Sequence, residues 1–402
     1  MKILVISQYF WPENFRVNDL PAGLRDRGHE VTVLTGLPNY PEGKLYKGYS
    51  YLGPYTESLD GIRVVRVPMV PRGKKKGIRL ALNFFTFSFF ACFVALFRCR
   101  EKYDAVFVWC LSPVTVSFSG LCLKWFRRIP VYNWVADLWP DTLSATGVLR
   151  KGMIMGAISR MSSFIYKQCD VNLIASEGYR SRLVDMGVRP DRIVYWPQWA
   201  ESIYGKEVTN KNTVSFPDVD GFRVLYAGNI GASQGFDTIL EAATLLKNEK
   251  SIHWVILGDG VLKKWFSEEI HARGLATQVH FLDPCPVDQV PDYAANADAL
   301  LASLRKAPLF AITVPGKMQS CLALGKPIVG AFDGEAAQIL ESSGASFVAP
   351  SGDAQGLADA VLRMSRLPQA ELDRMGGAGR QHFLDNFERE LLFGKLEKIL
   401  AT

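Results

Sequence analysis

Residues 310–337 read FAITVPGKMQSCLALGKPIVGAFDGEAA. A loop ends in Pro315-Gly316-Lys317. A short helix with a small-residue face follows, Gly325 stops it, and an apolar strand leads to a second helix start at Gly334. Such a loop brings unpaired backbone N–H groups and one ammonium to a helix N-terminus, where an anion is stabilised. No Asp or Glu lies between Ala311 and Phe332 to oppose that charge.

Two further glycine loops have the same character. In YAGNIGASQGFDTILEA (226–242) a strand runs into a Gly-punctuated loop and then a helix. Gly228 and Gly231 let the backbone approach a ligand, and Gly235 precedes a helix whose N-terminus favours phosphate. In VILGDG (255–260) a strand ends in Gly258-Asp259-Gly260. Each loop alone is equally a tight turn, because Gly-rich turns close many α/β units. Three at the carboxyl ends of three strands of one domain read as a nucleotide diphosphate site.

The elements that must carry these loops alternate strand and helix. KILVIS (2–7), a helix closed by Gly28, and VTVLTG (31–36) make a βαβ unit, the start of a parallel sheet covered on both faces. GIRVVRVP, YDAVFVWC, IPVYNWVADLWPD, VNLIAS and RIVYWPQW continue it to about residue 201. Residues 202–220 are polar and contain Pro217, as a linker does. The pattern then restarts with FRVLYAG, IHWVILG, VHFLD, ADALLASL and PIVGAF over 221–384. The fold class is α/β, with two tandem doubly wound domains and a ligand cleft expected between them, at the strands' carboxyl ends. The last helix, within 385–402, is expected to pack back on the first domain.

With 402 residues the chain can bury two cores. It is 48% apolar, 21% charged and 12% aromatic, with net charge +6, a mild excess that does not call for nucleic acid. Seven scattered Cys without a CxxC pair, and five His, argue against a disulfide frame or structural zinc. MKILVISQYF is a strand rather than a signal peptide, which points to a reducing cytoplasmic compartment.

One stretch breaks the soluble pattern. LALNFFTFSFFACFVALF (80–97) carries no charge and seven Phe. Arg72, Lys74, Lys75, Lys76 and Arg79 precede it, and Arg98 and Arg100 follow. Length permits a transmembrane helix. Its place between two strands of one βαβ pattern argues against spanning, and basic residues at both ends give no orientation. The preferred reading is a helix that covers the sheet on one side and dips into an anionic bilayer on the other, through residues 72–100. The competing reading is a crossover helix buried on every side.

The arrangement resembles the retaining GT-B glycosyltransferases of family 4 over essentially the whole chain. RGHEVTVLTGLPNYPEG and DLWPD match the first domain, while GNIG…QG, LGDG and PGKMQSCLALGKPIVG match the donor site. On PGKMQS…ALGKPI and YFWPENFR it is most similar to bacterial enzymes that transfer N-acetyl-fucosamine in O-antigen or capsule assembly. The resemblance implies two Rossmann-like domains, a UDP-sugar donor, a polyprenyl-diphosphate-linked saccharide acceptor, no metal and no other cofactor. It implies a place on the cytoplasmic face of the inner membrane.

Departures from the family are specific. Its two glutamates, eight positions apart, fall here on Ile312 and Ser320, and its basic pair in the first phosphate loop on Asn229 and Gln234. Lys317, assisted by Arg305, is left to meet the diphosphate, with Gly228, Gly258, Asp259, Gly260 and Gly316 shaping the donor site. Gln319 and Ser320 are expected on ribose hydroxyls. Glu335 either approaches the sugar or complements a helix dipole. Asp218-Val219-Asp220 fits a metal-binding Asp-x-Asp by letter only and lies in the linker.

On the acceptor side Asn14 and Arg16 follow the first strand, and Arg suits a bidentate grip on phosphate. Asp137 ends a buried strand and is a candidate base, a helix N-cap or a loop anchor. No catalytic base is assigned, since in retaining enzymes of this class the leaving phosphate can take the acceptor proton. Two other functions compete: a UDP-sugar epimerase of the same fold, and a catalytically silent scaffold in a polysaccharide complex.

Overall fold

The computed structural model describes residues 1–73, 77–145, 147, 152–205 and 214–401. Lys74, Lys75 and Lys76 lie outside them. The chain forms two compact units, Met1–Trp196 with Phe393–Thr402, and Pro197–Leu392.

The first unit holds an eight-stranded sheet. Its strands are β1 (Lys2–Ile6), β2 (Glu30–Gly36), β3 (Thr56–Leu59), β4 (Ile62–Val67), β5 (Ala105–Cys110), β6 (Val131–Val135), β7 (Val171–Ile174) and β8 (Ile193–Tyr195). Their order is β3-β4-β2-β1-β5-β6-β7-β8, parallel except for β3 against β4. Val5 of β1 lies opposite Val33 on one side and Phe107 on the other. Every residue of β5 and β6 is buried, as a strand covered on both faces requires. The strand order reverses between β1 and β5, so the loops beyond their carboxyl ends are free to form a site.

The second unit holds six parallel strands, β9 (Phe222–Ala227), β10 (Ile252–Leu257), β11 (Val279–Leu282), β12 (Ala299–Ser303), β13 (Ile328–Ala331) and β14 (Ser346–Ala349). They run β11-β10-β9-β12-β13-β14, with the reversal between β9 and β12. Each sheet is thus a doubly wound, Rossmann-like domain.

Three details depart from the sequence reading. The division falls after Trp196 rather than at 201, so Ala200, expected in the first domain, and Tyr204, expected in the linker, are buried in the second unit's core. At the other end Phe387 also packs in the second core, and the crossing to the first unit comes at Phe393 rather than 385. From there Glu397 pairs with Arg27 at 2.9 Å and His29 at 2.9 Å within the first unit. Edge strands β3 and β14 were not anticipated: TESL is polar and half-exposed, and SFVA is four residues long.

The Phe-rich segment is one helix, Ile78–Arg98, joining β4 to β5 of the same sheet. One side is anchored. Asn83 is fully buried, its Oδ1 accepts from Gln8 Nε2 at 2.8 Å, and its Nδ2 donates to Val70 O at 2.7 Å. Phe87, Ala91 and Ala95 continue that buried stripe. Phe85, Phe89, Phe90, Phe93 and Phe97 are exposed, and only 28% of the helix's most apolar window is buried inside the protein. The reading of a helix buried on every side therefore fails.

Candidate functional site

The glycine loops of the second unit converge at the carboxyl ends of β9 and β10. Gly228 follows β9 and Gly258 follows β10, both with positive φ. A β-carbon on Gly258 would sit 2.0 Å from Gly228 O, and one on Gly260 would sit 2.4 Å from Ile230 O. Only glycine permits that backbone approach. Hydrogen bonds fix it: Gly228 N donates to Leu257 O at 2.9 Å and Ile230 N to Asp259 O at 2.8 Å. Gly235, in the left-handed region, caps the helix Phe236–Leu245. Ser303 Oγ donates to Gln234 O at 2.6 Å and Arg305 N to Ser233 O at 2.9 Å, tying the first loop to the end of β12.

Lys317 enters from the first turn of the helix Gly316–Ala323. Its stem is half-buried, but among the described residues its Nζ is buried with no hydrogen-bond partner. The ammonium stands 3.5 Å from the centroid of the Tyr226 ring and directly over Gly228. Burial lowers its pKa from 10.5 to about 7. That shift corresponds to about 5 kcal/mol against charging. A desolvated cation over an aromatic face gains roughly 2 kcal/mol, so desolvation wins. An anion placed here would reverse the balance.

Beside this cradle lies a cavity of about 310 Å³, lined by Gly228, Asn229, Gly258 and Asp259 on one side. Tyr204, Pro284, Cys285, Val287 and Val290 line the other. That apolar wall suits a flat heterocycle. Sequence reasoning missed it, although the run PCPV (284–287), one residue beyond β11, was a visible apolar signal near a strand's carboxyl end. Asn229 and Asp259 are exposed at the rim. Asp259 Oδ1 accepts from Gly260 N at 2.8 Å.

Other expected donor residues stand differently. Gln319 is fully buried, and in the one amide orientation that gives its nitrogen acceptors it donates to Pro315 O at 3.0 Å and Gly316 O at 3.1 Å. Its donors are taken up by closing the loop it follows, so the expected ribose contact does not hold for Gln319. Ser320 is buried within the same helix. Glu335 is half-buried in the first turn of the helix Gly334–Ser342, where a carboxylate complements the dipole. A β-carbon on Gly334 would meet Ala311 O at 2.0 Å, so this turn presses on the loop before Lys317.

In the first unit Asn14 is exposed and Arg16 half-buried, both after β1. Asp137 is half-buried and follows β6. Its Oδ2 accepts from Ser112 Oγ at 2.8 Å, and burial raises its pKa. It caps no helix, since the next one begins at Asp141. Sequence reasoning missed Glu13, which is 1% exposed. Glu13 Oε1 accepts from Asn39 N at 2.7 Å and Tyr40 N at 2.6 Å, joining the loops after β1 and β2. Burial pushes its pKa up to about 7. Above it Tyr9 stacks on Phe15 at 5.0 Å, and Arg72 stands 4.8 Å over Tyr40.

Known proteins share this fold. Residues 14–199 match the family described as a glycosyl transferase 4-like domain, and residues 221–366 match glycosyl transferases group 1. WbjE of Pseudomonas aeruginosa, a probable glycosyltransferase, is 27% identical over 67% of this chain and 68% of its own. WcaI of Escherichia coli (strain K12), assigned to colanic acid biosynthesis as a glycosyl transferase, is 24% identical over 81% and 82%. The structure of HepE from Anabaena in complex with UDP and glucose superposes with a TM-score of 0.72 at 14% identity, covering 100% of both chains. The two family matches account for both units, and the chain is a GT-B glycosyltransferase related to enzymes of polysaccharide biosynthesis.

Proposed function

We propose that the enzyme moves N-acetyl-fucosamine, or a related N-acetylated hexosamine, from a UDP-sugar to a saccharide on a polyprenyl diphosphate. The reaction builds O-antigen or capsular polysaccharide at the cytoplasmic face of the bacterial inner membrane, with retention of configuration. One observation carries this reading: the buried Lys317 ammonium, without a hydrogen-bond partner among the described residues, stands over Gly228, which lines a cavity with an apolar wall. A diphosphate supplies the missing counter-charge, and uracil fits the wall of Pro284 and Val287. Loop N–H groups and Lys317 would hold the negative charge that grows as the bond from the anomeric carbon to the phosphate oxygen breaks. The acceptor oxygen then bonds that carbon, and its proton passes to the leaving phosphate. Attachment to anionic lipid through residues 72–100 would bring the enzyme to a lipid-borne acceptor. HepE binds UDP on a similar fold, and the relatives named for polysaccharides support the acceptor class.

The test is titration calorimetry with UDP, followed by turnover of a panel of UDP-sugars with a synthetic lipid diphosphate saccharide. UDP binding, with turnover of an N-acetylated donor, is expected. Absence of UDP binding would overturn the donor assignment, and preference for a donor without the acetamido group would overturn the sugar.

A further inference from the structure

We propose that three helices of the first unit, Ile78–Arg98, Ser117–Arg127 and Met153–Gln168, dock on an anionic bilayer as one continuous face. Trp125, Phe126, Met153, Ile154 and Phe164 would enter the boundary between headgroups and acyl chains beside the Phe-rich helix. The inference rests on the proposed membrane-bound function and extends it from one helix to three.

The middle helix, Ser117–Arg127, packs on both of the others. Its inner side, with Leu121 and Leu123, is fully buried. Its outer end presents Trp125, 46% exposed, and Phe126, 73% exposed. Trp125 reaches the third helix, its ring 6.2 Å from that of Phe164. At the same end, the Arg127 guanidinium donates to Leu96 O and Cys99 O and so fastens the end of the Phe-rich helix. On the third helix Ser162, Ile165 and Tyr166 face inward. Met153, Ala157, Arg160, Phe164 and Lys167 are exposed at helical spacing. Large apolar side chains exposed on each of three adjoining helices make a surface, not scattered exposure.

Charge decides what covers it. None of the three helices contains Asp or Glu. Arg79, Arg98, Arg160 and Lys167 are exposed on them. A second copy of the same face would bring like charges together, whereas an anionic lipid surface complements them. A Trp beside Arg and Lys is the composition of a membrane interface. The buried polar anchor at Asn83 holds the Phe-rich helix on the sheet, so the face lies on the bilayer and does not cross it.

The test floats the full chain with phosphatidylcholine vesicles that contain or lack phosphatidylglycerol. The parent protein is expected to float with the anionic vesicles. Trp125→Ser/Phe126→Ser/Phe164→Ser is expected to lower partitioning at least about tenfold, with an unchanged near-ultraviolet dichroism spectrum. Arg160→Glu/Lys167→Glu, which leaves Trp125, Phe126 and Phe164 in place, is expected to lower it about tenfold as well. A parent that does not float removes the membrane-bound function and this face with it. A parent released by Phe85→Ser/Phe89→Ser/Phe93→Ser, but not by either of the other variants, overturns the three-helix face and leaves the single-helix attachment standing. A dimer in ultracentrifugation that the Trp125 variant dissolves, without vesicle binding, also overturns it, because the face would then join two copies.

Discussion

The Lys317 ammonium rests over the backbone of Gly228 so closely that a β-carbon at 228 would lie 2.9 Å from Nζ. One residue comes from a helix start and the other from the end of β9. Each depends on the other: Gly228 leaves the space, and Lys317 fills the edge of it with an ammonium that has no hydrogen-bond partner among the described residues.

Lys317→Ala is therefore expected to weaken UDP more than any other single change in the second unit. A hydrogen bond to a charged group contributes about 1.5–3 kcal/mol, or roughly 10- to 150-fold in affinity. Calorimetry with UDP at neutral pH measures it, and unchanged affinity would move the diphosphate elsewhere.

Donor affinity is expected to depend on pH through the same residue. The free ammonium has its pKa lowered to about 7. Diphosphate favours the charged form, so binding takes up a proton once the pH exceeds 7. Affinity for a UDP-sugar, whose diester phosphates keep constant charge, should be flat below pH 7. Above it the affinity should fall by up to about tenfold per unit. Without ligand the sign is opposite. The folded state carries the full desolvation penalty below pH 7 and loses it as the pH rises toward 10.5. Lys317→Met should therefore raise the melting temperature more at pH 6 than at pH 10. A pH-independent affinity in the parent would remove the titrating lysine from the site.

Gly258→Ala is expected to damage the fold of this site. Its φ is 142°, and a β-carbon would meet Gly228 O at 2.0 Å. The obstacle is backbone, not a flexible side chain. Strain of about 1–3 kcal/mol follows from the dihedral alone. Lower thermal stability together with lost UDP binding is the expected result. A variant that melts and binds like the parent would contradict the close loop-to-loop contact.

How far such contacts could be foreseen differs by residue. Strands such as VFVWC in β5 and WVIL in β10 were legible because covered parallel strands are continuous apolar runs. The glycine loops and Lys317 were legible by position, at strand ends. The side-chain directions were not. Gln319 looked like a ribose ligand, yet its amide turns back on Pro315 and Gly316. Glu13 was not singled out in its loop, yet it is a buried clamp on Asn39 and Tyr40. Both facts depend on how a loop folds over itself, which periodicity does not report. The apolar wall at Pro284 and Val287 belongs to a loop outside the glycine pattern, so spacing alone did not join it to the site.

Turnover is expected to survive EDTA. Asp259 is the one carboxylate among the described residues lining the cavity, and its Oδ1 is taken by Gly260 N. One such acid is a poor match for a divalent ion that prefers several oxygen ligands. The check is the initial rate with chelator, then with added Mg²⁺ or Mn²⁺. Activity lost on chelation and restored by metal would refute the metal-free reading.

Glu13 should give the first unit a pH-dependent weak point between the loops after β1 and β2. Its pKa is raised from 4.5 to about 7, chiefly by burial, against the pull of backbone N–H groups of Asn39, Tyr40 and Phe10. A carboxyl whose folded pKa is raised binds its proton more tightly when folded. Stability linked to it is therefore fully present below about pH 4.5 and is lost as the pH rises through 7. The loss is on the order of 3 kcal/mol if the whole shift is realised. Native-state hydrogen exchange at the Asn39 and Tyr40 amides reads this opening directly, once intrinsic exchange rates are divided out. Their protection should decline from pH 5 to pH 8 in the parent. In Glu13→Gln the amide oxygen can still accept both bonds but carries no charge, so protection should be nearly flat with pH. Glu13→Ala leaves those two N–H groups without a partner and should lose protection throughout. A parent whose protection does not fall, or a Gln variant that falls in parallel with it, would mean that Glu13 does not titrate in this range.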